Sequence, residues 1–290
     1  MTVRIAGLQV GTVPDGVEAN LATLDRALAA AAAQDAQLLI TPEMFITGYQ
    51  VTRPLTDYPQ SSWLPRVGEL CRTHGVAAIV GGPEIVDEAK PSKNVANATP
   101  IIHNAAYFVD RDGTLLDIYR KTHLFGDAER AVFTPGDELT HVIDFHGLRV
   151  GVCICYDVEF PETVRALALA GADLVAVPTA QMKPFSFVAE TVIRARAWEN
   201  QIYVAYINHD GNENGLRYVG RSSICAPNGD ALASCTSGDH LLVASIDPAD
   251  VATAQQANPY LTDRRTDLYE RTDAAPHTTP NTPNQPKERS

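Results

Sequence analysis

The chain has 290 residues, a formal charge of −12 and 45% hydrophobic residues. That length suits one large α/β domain or two small ones, with a sizeable core. The acidic balance argues against a nucleic-acid-binding protein, which needs a basic footprint on phosphates; it fits solubility and, more weakly, a cationic small molecule.

Residues 3–10 (VRIAGLQV) form a short apolar run rich in branched side chains and predict a buried strand. No basic, apolar and cleavage-site pattern precedes it, so no secretory segment is expected. Residues 16–34 predict a helix, and Asp25 and Arg26 within its Ala-rich stretch mark it as soluble rather than membrane-spanning. Residues 37–41 (QLLIT) predict a second strand, stopped by Pro42. A helix over 62–74 leads to a third strand, 77–82. Residues 87–100 are polar and read as a surface loop. Residues 105–109 and 115–119 flank Asp112-Gly113, a strong hairpin signal. HVIDF and LRVGVCIC bracket His146-Gly147 in the same way. Residues 162–170 predict a helix with Pro161 in its first turn, where a missing N–H costs little, and Gly171 as its C-cap. Then come a strand at 174–177, a long helix at 187–200, and three more strands, IYVAYIN, RSSICAP and LLVASID, with Asn228-Gly229 as a turn.

This order predicts an α/β fold, two sheets interleaved with helices, in one domain over residues 1–270. Residues 271–290, rich in Pro, Thr and Asn, predict a flexible or disordered tail. The five cysteines, Cys71, Cys153, Cys155, Cys225 and Cys235, are odd in number and argue against a disulfide framework. No Cys/His spacing suits zinc and there is no HExxH, so neither a metal nor a cofactor is expected. A cytoplasmic location is the default expectation.

Three segments carry candidate chemistry. In TPEMFITGY, Glu43 sits just past a buried strand, where open α/β sheets bind ligands; taken alone it reads first as a surface acid in a loop. In YRKTHLFGDAERAVFTPG, Lys121 closes a strand, a costly place for a charge unless it is paired or snorkels to water. Glu129, eight residues on, is its candidate partner. In GVCICYDVEFPE, Cys155 ends an apolar strand and Pro161 opens a helix, the layout of a nucleophile elbow. The alternative is a buried, inert thiol, which is the reading for Cys153.

Taken together, P-E-M-F-x-T-G-Y, Y-R-K-x-H-L-F and C-Y-D-x-x-F-P-E resemble the nitrilase superfamily of carbon–nitrogen hydrolases, over residues 3–268 or so. The resemblance implies a four-layer α-β-β-α sandwich, a Glu43–Lys121–Cys155 triad and a second, orienting acid at Glu129. It also implies a homodimer or larger homo-oligomer paired through a helical face. Cys155-Tyr156-Asp157 looks like the amidase branch that includes 5-aminopentanamidase rather than the C-W-E of nitrile-cleaving members. The segments 178–185, 199–208 and 259–265 support that branch.

The expected activity is hydrolysis of a small aliphatic carboxamide through a cysteine thioester, with an ω-amino amide such as 5-aminopentanamide as a candidate substrate. Glu43 would be the base. Lys121 and the Tyr156 N–H would stabilise the oxyanion. Tyr49, Phe125, Tyr156, Met182 and Phe185, close in sequence to these segments, are candidate substrate-binding residues, although each could be plain core. A cationic tail would pair with Asp157 or Glu159, unless those acids cap the helix at Pro161. The rival readings are a nitrilase, an N-carbamoyl-amine hydrolase or a cysteine acyltransferase on the same scaffold, and, from a different class, a non-catalytic nitrilase-like binding protein. Neither nucleic acid nor membrane is an expected partner.

Overall fold

A computed structural model provides the structure and describes residues 2–86 and 100–273. In chain order the elements are β1 (Val3–Gln9), α1 (Val17–Ala32), β2 (Leu38–Ile40), α2 (Gln60–His74), β3 (Ala77–Val86), β4 (Ile101–Val109), β5 (Leu115–Arg120) and α3 (Gly126–Val132). There follow β6 (Val142–Phe145), β7 (Leu148–Val152), α4 (Pro161–Leu169), β8 (Leu174–Thr179), α5 (Ile193–Asn200) and β9 (Tyr203–Asn208). The last are β10 (Asn212–Glu213), β11 (Leu216–Arg217), β12 (Ser223–Cys225), β13 (Ala231–Ser234), β14 (His240–Ile246), α6 (Pro248–Ala257) and α7 (Thr266–Asp273).

The strands form two six-stranded sheets, β14-β1-β2-β3-β4-β5 and β13-β12-β9-β8-β7-β6. In each, three central strands run parallel, β1-β2-β3 and β7-β8-β9, between antiparallel edges. Alternation along the strands decides what each face buries. Val3, Ile5, Leu38, Ile40, Ala77 and Ile79 point into one core with the second sheet. Ala6, Leu8, Leu39, Ala78 and Val80 point the other way, onto Leu24 and Leu28 of α1 and Trp63 and Val67 of α2. Both faces are therefore apolar, which is why these strands read as continuous hydrophobic runs rather than alternating ones. On the second sheet, Val164 and Leu167 of α4 and Ile193 and Ala197 of α5 cover the outer face. The result is the expected four-layer α-β-β-α sandwich. Gly7 marks how closely the sheets approach, since a Cβ there would collide with the Ile207 side chain.

Differences from the sequence reading are local. The strand expected over 77–82 continues to Val86, because β3 pairs with β4 along its whole length. Helices α3, α6 and α7 and strands β10, β11 and β13 were not anticipated; each is ten residues or fewer. Helix α7 takes in the first three residues of the expected tail. The rest of that tail, and residues 87–99 of the expected surface loop, lie outside the described residues. Among the described residues no helix is long and apolar enough to cross a membrane.

Candidate active site

The parallel strands of both sheets end on the same side, and the chain that leaves them is tied together there. Glu43 follows β2 by three residues. Its N–H donates to the Thr179 carbonyl at the end of β8 (3.3 Å). Its own carbonyl accepts from Nε2 of His209, just past β9 (2.6 Å). Lys121 follows β5 directly, held by donation from its N–H to the Asn104 carbonyl of β4 (2.8 Å).

Lys121 neither snorkels nor reaches water. Its side chain is 0% exposed, and Nζ donates to Glu43 Oε1 (2.8 Å) and Glu129 Oε1 (2.7 Å). Glu43 is equally buried and is not a surface acid. Its Oε1 also accepts from Asn104 Nδ2 (2.7 Å), whereas Oε2 is buried without a partner. Glu129, on α3, accepts from the Tyr49 hydroxyl (2.7 Å) and, on its other oxygen, from the Phe125 N–H (2.6 Å). Burial opposes the charge on Lys121, but Glu43, Cys155 and Glu129 overcome it and raise its pKa above the ordinary lysine value. Burial raises the pKa of Glu43 in turn, against the pull of Lys121.

Cys155 does not end a strand. β7 stops at Val152, and Cys155 opens a short 3-10 turn, Cys155–Glu159, with φ of +47°. A positive φ at a residue with a Cβ stores strain and persists only where the surroundings enforce it. Here Asp157 does so, accepting from the Ile154 N–H (3.0 Å) and from the Tyr119 and Thr122 hydroxyls and the His123 N–H. Asp157 is fully buried and its oxygens are occupied, so it cannot receive a substrate tail as the sequence had allowed. It does not cap α4 either; that helix starts without a side-chain cap. Burial, then the charge of Glu43, pushes the Cys155 thiol well above its ordinary pKa, and Lys121 only partly offsets this. A thiol so placed needs a base to ionise it. Cys153 is buried inside the core, consistent with an inert role.

Cys155 opens onto a tight cleft with a free volume of about 10 Å³. Tyr49, Phe125, Tyr156, Met182 and Phe185, the five candidates from sequence, all line it. So do Glu159 and Gln181. Phe125 meets Tyr156 and Phe185 edge-on, with ring centroids 5.2 Å and 5.9 Å apart. Glu159 is half-buried at this wall; burial raises its pKa while a hydrogen bond from Gln181 and the charge of Arg196 lower it. Gln181 and Asn104 were not singled out from sequence. Gln181 lies in the segment 178–185 already noted, but Asn104 sits in a strand with no local signal and reaches Glu43 only through sheet pairing. Among the described residues no group of His, Cys, Asp or Glu is arranged to hold a metal.

The family model for carbon–nitrogen hydrolases matches residues 3–256, and the chain belongs to that family, the nitrilase superfamily. It is an amidase-type hydrolase with an active-site cysteine. It is 39% identical over 273 residues to a Pseudomonas protegens protein described as a hydrolase in the pqqF 5′ region, covering 93% of this chain and 91% of that one. It is 34% identical over 244 residues to an (R)-stereoselective amidase of a Pseudomonas species, covering 81% and 82%. Among solved structures, a glutamate-to-glutamine variant of the amidase from Nesterenkonia sp. AN1 superposes with a TM-score of 0.80 at 34% identity, covering 93% of this chain and 96% of that chain. In that structure the acetamide moiety of fluoroacetamide is covalently added at the active-site cysteine.

Proposed function

We propose that this amidase hydrolyses a small aliphatic carboxamide through a Cys155 thioester. The observation that carries the reading is the fully buried Lys121 ammonium, held between Glu43 and Glu129 at the strand ends where a strained Cys155 opens onto a small cleft. Cys155 Sγ attacks the amide carbonyl carbon as Glu43 takes the thiol proton on its unpartnered Oε2. Glu43 then delivers that proton to the nitrogen, the C–N bond breaks and ammonia leaves. Water attacks the thioester, passing its proton through Glu43 back to sulfur, and the carboxylate departs. The raised pKa of Glu43 brings it toward the working pH, where a base is most effective. Lys121 and the Tyr156 N–H stabilise the tetrahedral oxyanion. Glu129, with both oxygens engaged, holds Lys121 rather than the amide NH₂.

The tight cleft supports a short acyl chain, and Glu159, which lines it together with four aromatic rings, supports an ω-ammonium tail, as in 5-aminopentanamide. Leu169, Trp198 and Tyr260, exposed on and beside the outer α4/α5 layer, support self-association through that face. Five free thiols are in keeping with a reducing cytoplasm.

The test is ammonia release from amides, matched nitriles and an N-carbamoyl amine, with Cys155→Ala as control. Cys155-dependent release from amides, faster for 5-aminopentanamide than for pentanamide and levelled by Glu159→Gln, is expected. Release only from nitriles or only from the carbamoyl compound would move the chain to that sister activity.

A further inference from the structure

We infer that Glu213, on the β10–β11 hairpin, is a positioning residue for this reaction: it fixes the 48–50 backbone and, through Tyr49, the Glu129 carboxylate that holds Lys121. Glu213 is 2% exposed, yet it lies outside the cleft lining. Its carboxylate accepts from the Tyr49 N–H (3.2 and 3.1 Å to its two oxygens), the Gln50 N–H (3.0 Å), the Thr12 hydroxyl (3.0 Å) and the Tyr218 hydroxyl. Four neutral donors converge on one buried carboxyl group. Such a group is costly to bury and is kept only where it holds something in place. What it holds is the turn that carries Tyr49. Gly48 has φ of +82°, and a Cβ there would lie 2.5 Å from Glu213 Oε1, so the backbone approach is as close as glycine permits.

From that turn the chain of contacts runs inward. The Tyr49 hydroxyl donates to Glu129 Oε1, the same oxygen that receives Lys121 Nζ. The hairpin also reaches the other side of the site, because Tyr218, which donates to Glu213, packs against His209, the rings tilted by 31° with centroids 4.9 Å apart. His209 in turn donates to the Glu43 carbonyl. The segment 209–218 thus grips the Glu43–Tyr49 stretch at both ends. A displacement of about 1 Å at a reacting group can cost about 10²-fold in rate.

The inference rests on the roles proposed above for Glu43, Lys121 and Cys155. Glu213→Gln keeps the shape but turns one acceptor into an NH₂ that opposes the backbone donors. The expected result is a fall in kcat of about 30- to 100-fold with KM within about threefold. A double-mutant cycle separates positioning from plain stability. If Glu213 acts through Tyr49, then in a Tyr49→Phe background, where the bond to Glu129 is already gone, Glu213→Gln lowers kcat by less than about threefold further. Should Glu213→Gln fail to fold, Tyr218→Phe, which removes one donor to the carboxylate, is expected to show the same non-additivity with a smaller loss. Fully additive losses, or a lowered Tm with unchanged kcat, would overturn the inference. Full activity in Cys155→Ala would instead overturn the catalytic reading itself.

Discussion

Replacing Lys121 with methionine tests the electrostatic core of the site. The substitution keeps an unbranched stem as far as the ε carbon and removes the charge that lies 2.8 Å from Glu43 and 2.7 Å from Glu129. Two carboxylates are then left buried beside each other. Breaking a buried ion pair from one side costs about 3–5 kcal/mol. At about 2 °C per kcal/mol for a domain of this size, the melting temperature at neutral pH should fall by about 6–10 °C. The sign of the pH dependence is specific. Without the ammonium, the folded pKa of Glu43, already raised by burial, stands further above its unfolded value of 4.5. Proton uptake then stabilises the fold fully below the unfolded pKa, and that stabilisation is lost as pH rises through the folded pKa. The variant should therefore approach wild-type stability near pH 5 and fall behind it toward pH 8. Turnover should drop by at least about 10³-fold, since an oxyanion donor is lost and the base is neutralised. Thermal melts at the two pH values, with ammonia release on the same samples, give the answer. A variant equal to wild type in melting temperature at pH 8, or one whose deficit grows as pH falls, would refute the buried-triplet argument.

The raised pKa of Glu43 places the acid limb of kcat/KM above the ordinary carboxylate value of 4.5, with activity lost as pH falls through it; a limb at or below 4.5 would remove Glu43 as the base. Glu129→Gln should lower turnover about 10- to 10²-fold while Cys155 alkylation by iodoacetamide slows less, because Glu129 acts on Lys121 rather than on sulfur; equal loss in both assays would make its role purely structural. Gly81→Ala should cost about 10²-fold in kcat, since the new Cβ would strike the Pro42 carbonyl and lie 2.6 Å from Met44 N, pushing on the backbone of Glu43; an active variant with a displaced loop would show that Glu43 tolerates movement. Asp157→Asn should lower the melting temperature without changing the preference between 5-aminopentanamide and pentanamide, because its carboxylate is enclosed by the 119–123 and 154 contacts; a selective change would return Asp157 to the substrate.

Much of this was written locally. Apolar strand runs, the Gly171 turn after α4, Pro161 at its start and the three short segments around Glu43, Lys121 and Cys155 depend on neighbours within a few residues, so the order of elements and the family resemblance were legible. The five aromatic and thioether candidates all line the cleft, and four of them, all but Tyr49, stand within six residues of a strand end.

What only the tertiary structure decided is the pairing of groups far apart in the chain. Local pattern could not tell a snorkelling Lys121 from a buried one; that depends on Glu43, 78 residues away, and on Asn104, placed beside it by β4–β5 pairing. Nor could it divide the acids after Cys155. Asp157 and Glu159 are two residues apart, yet the 3-10 turn leaves Glu159 at the cleft and sends Asp157 inward to Tyr119, Thr122 and His123. Glu213 carried no signal at all, because its partners at 12, 49 and 50 meet it only when the two sheets close face to face. A side chain's charge and shape are properties of the sequence, but its desolvation and its partners exist only once distant strands have packed.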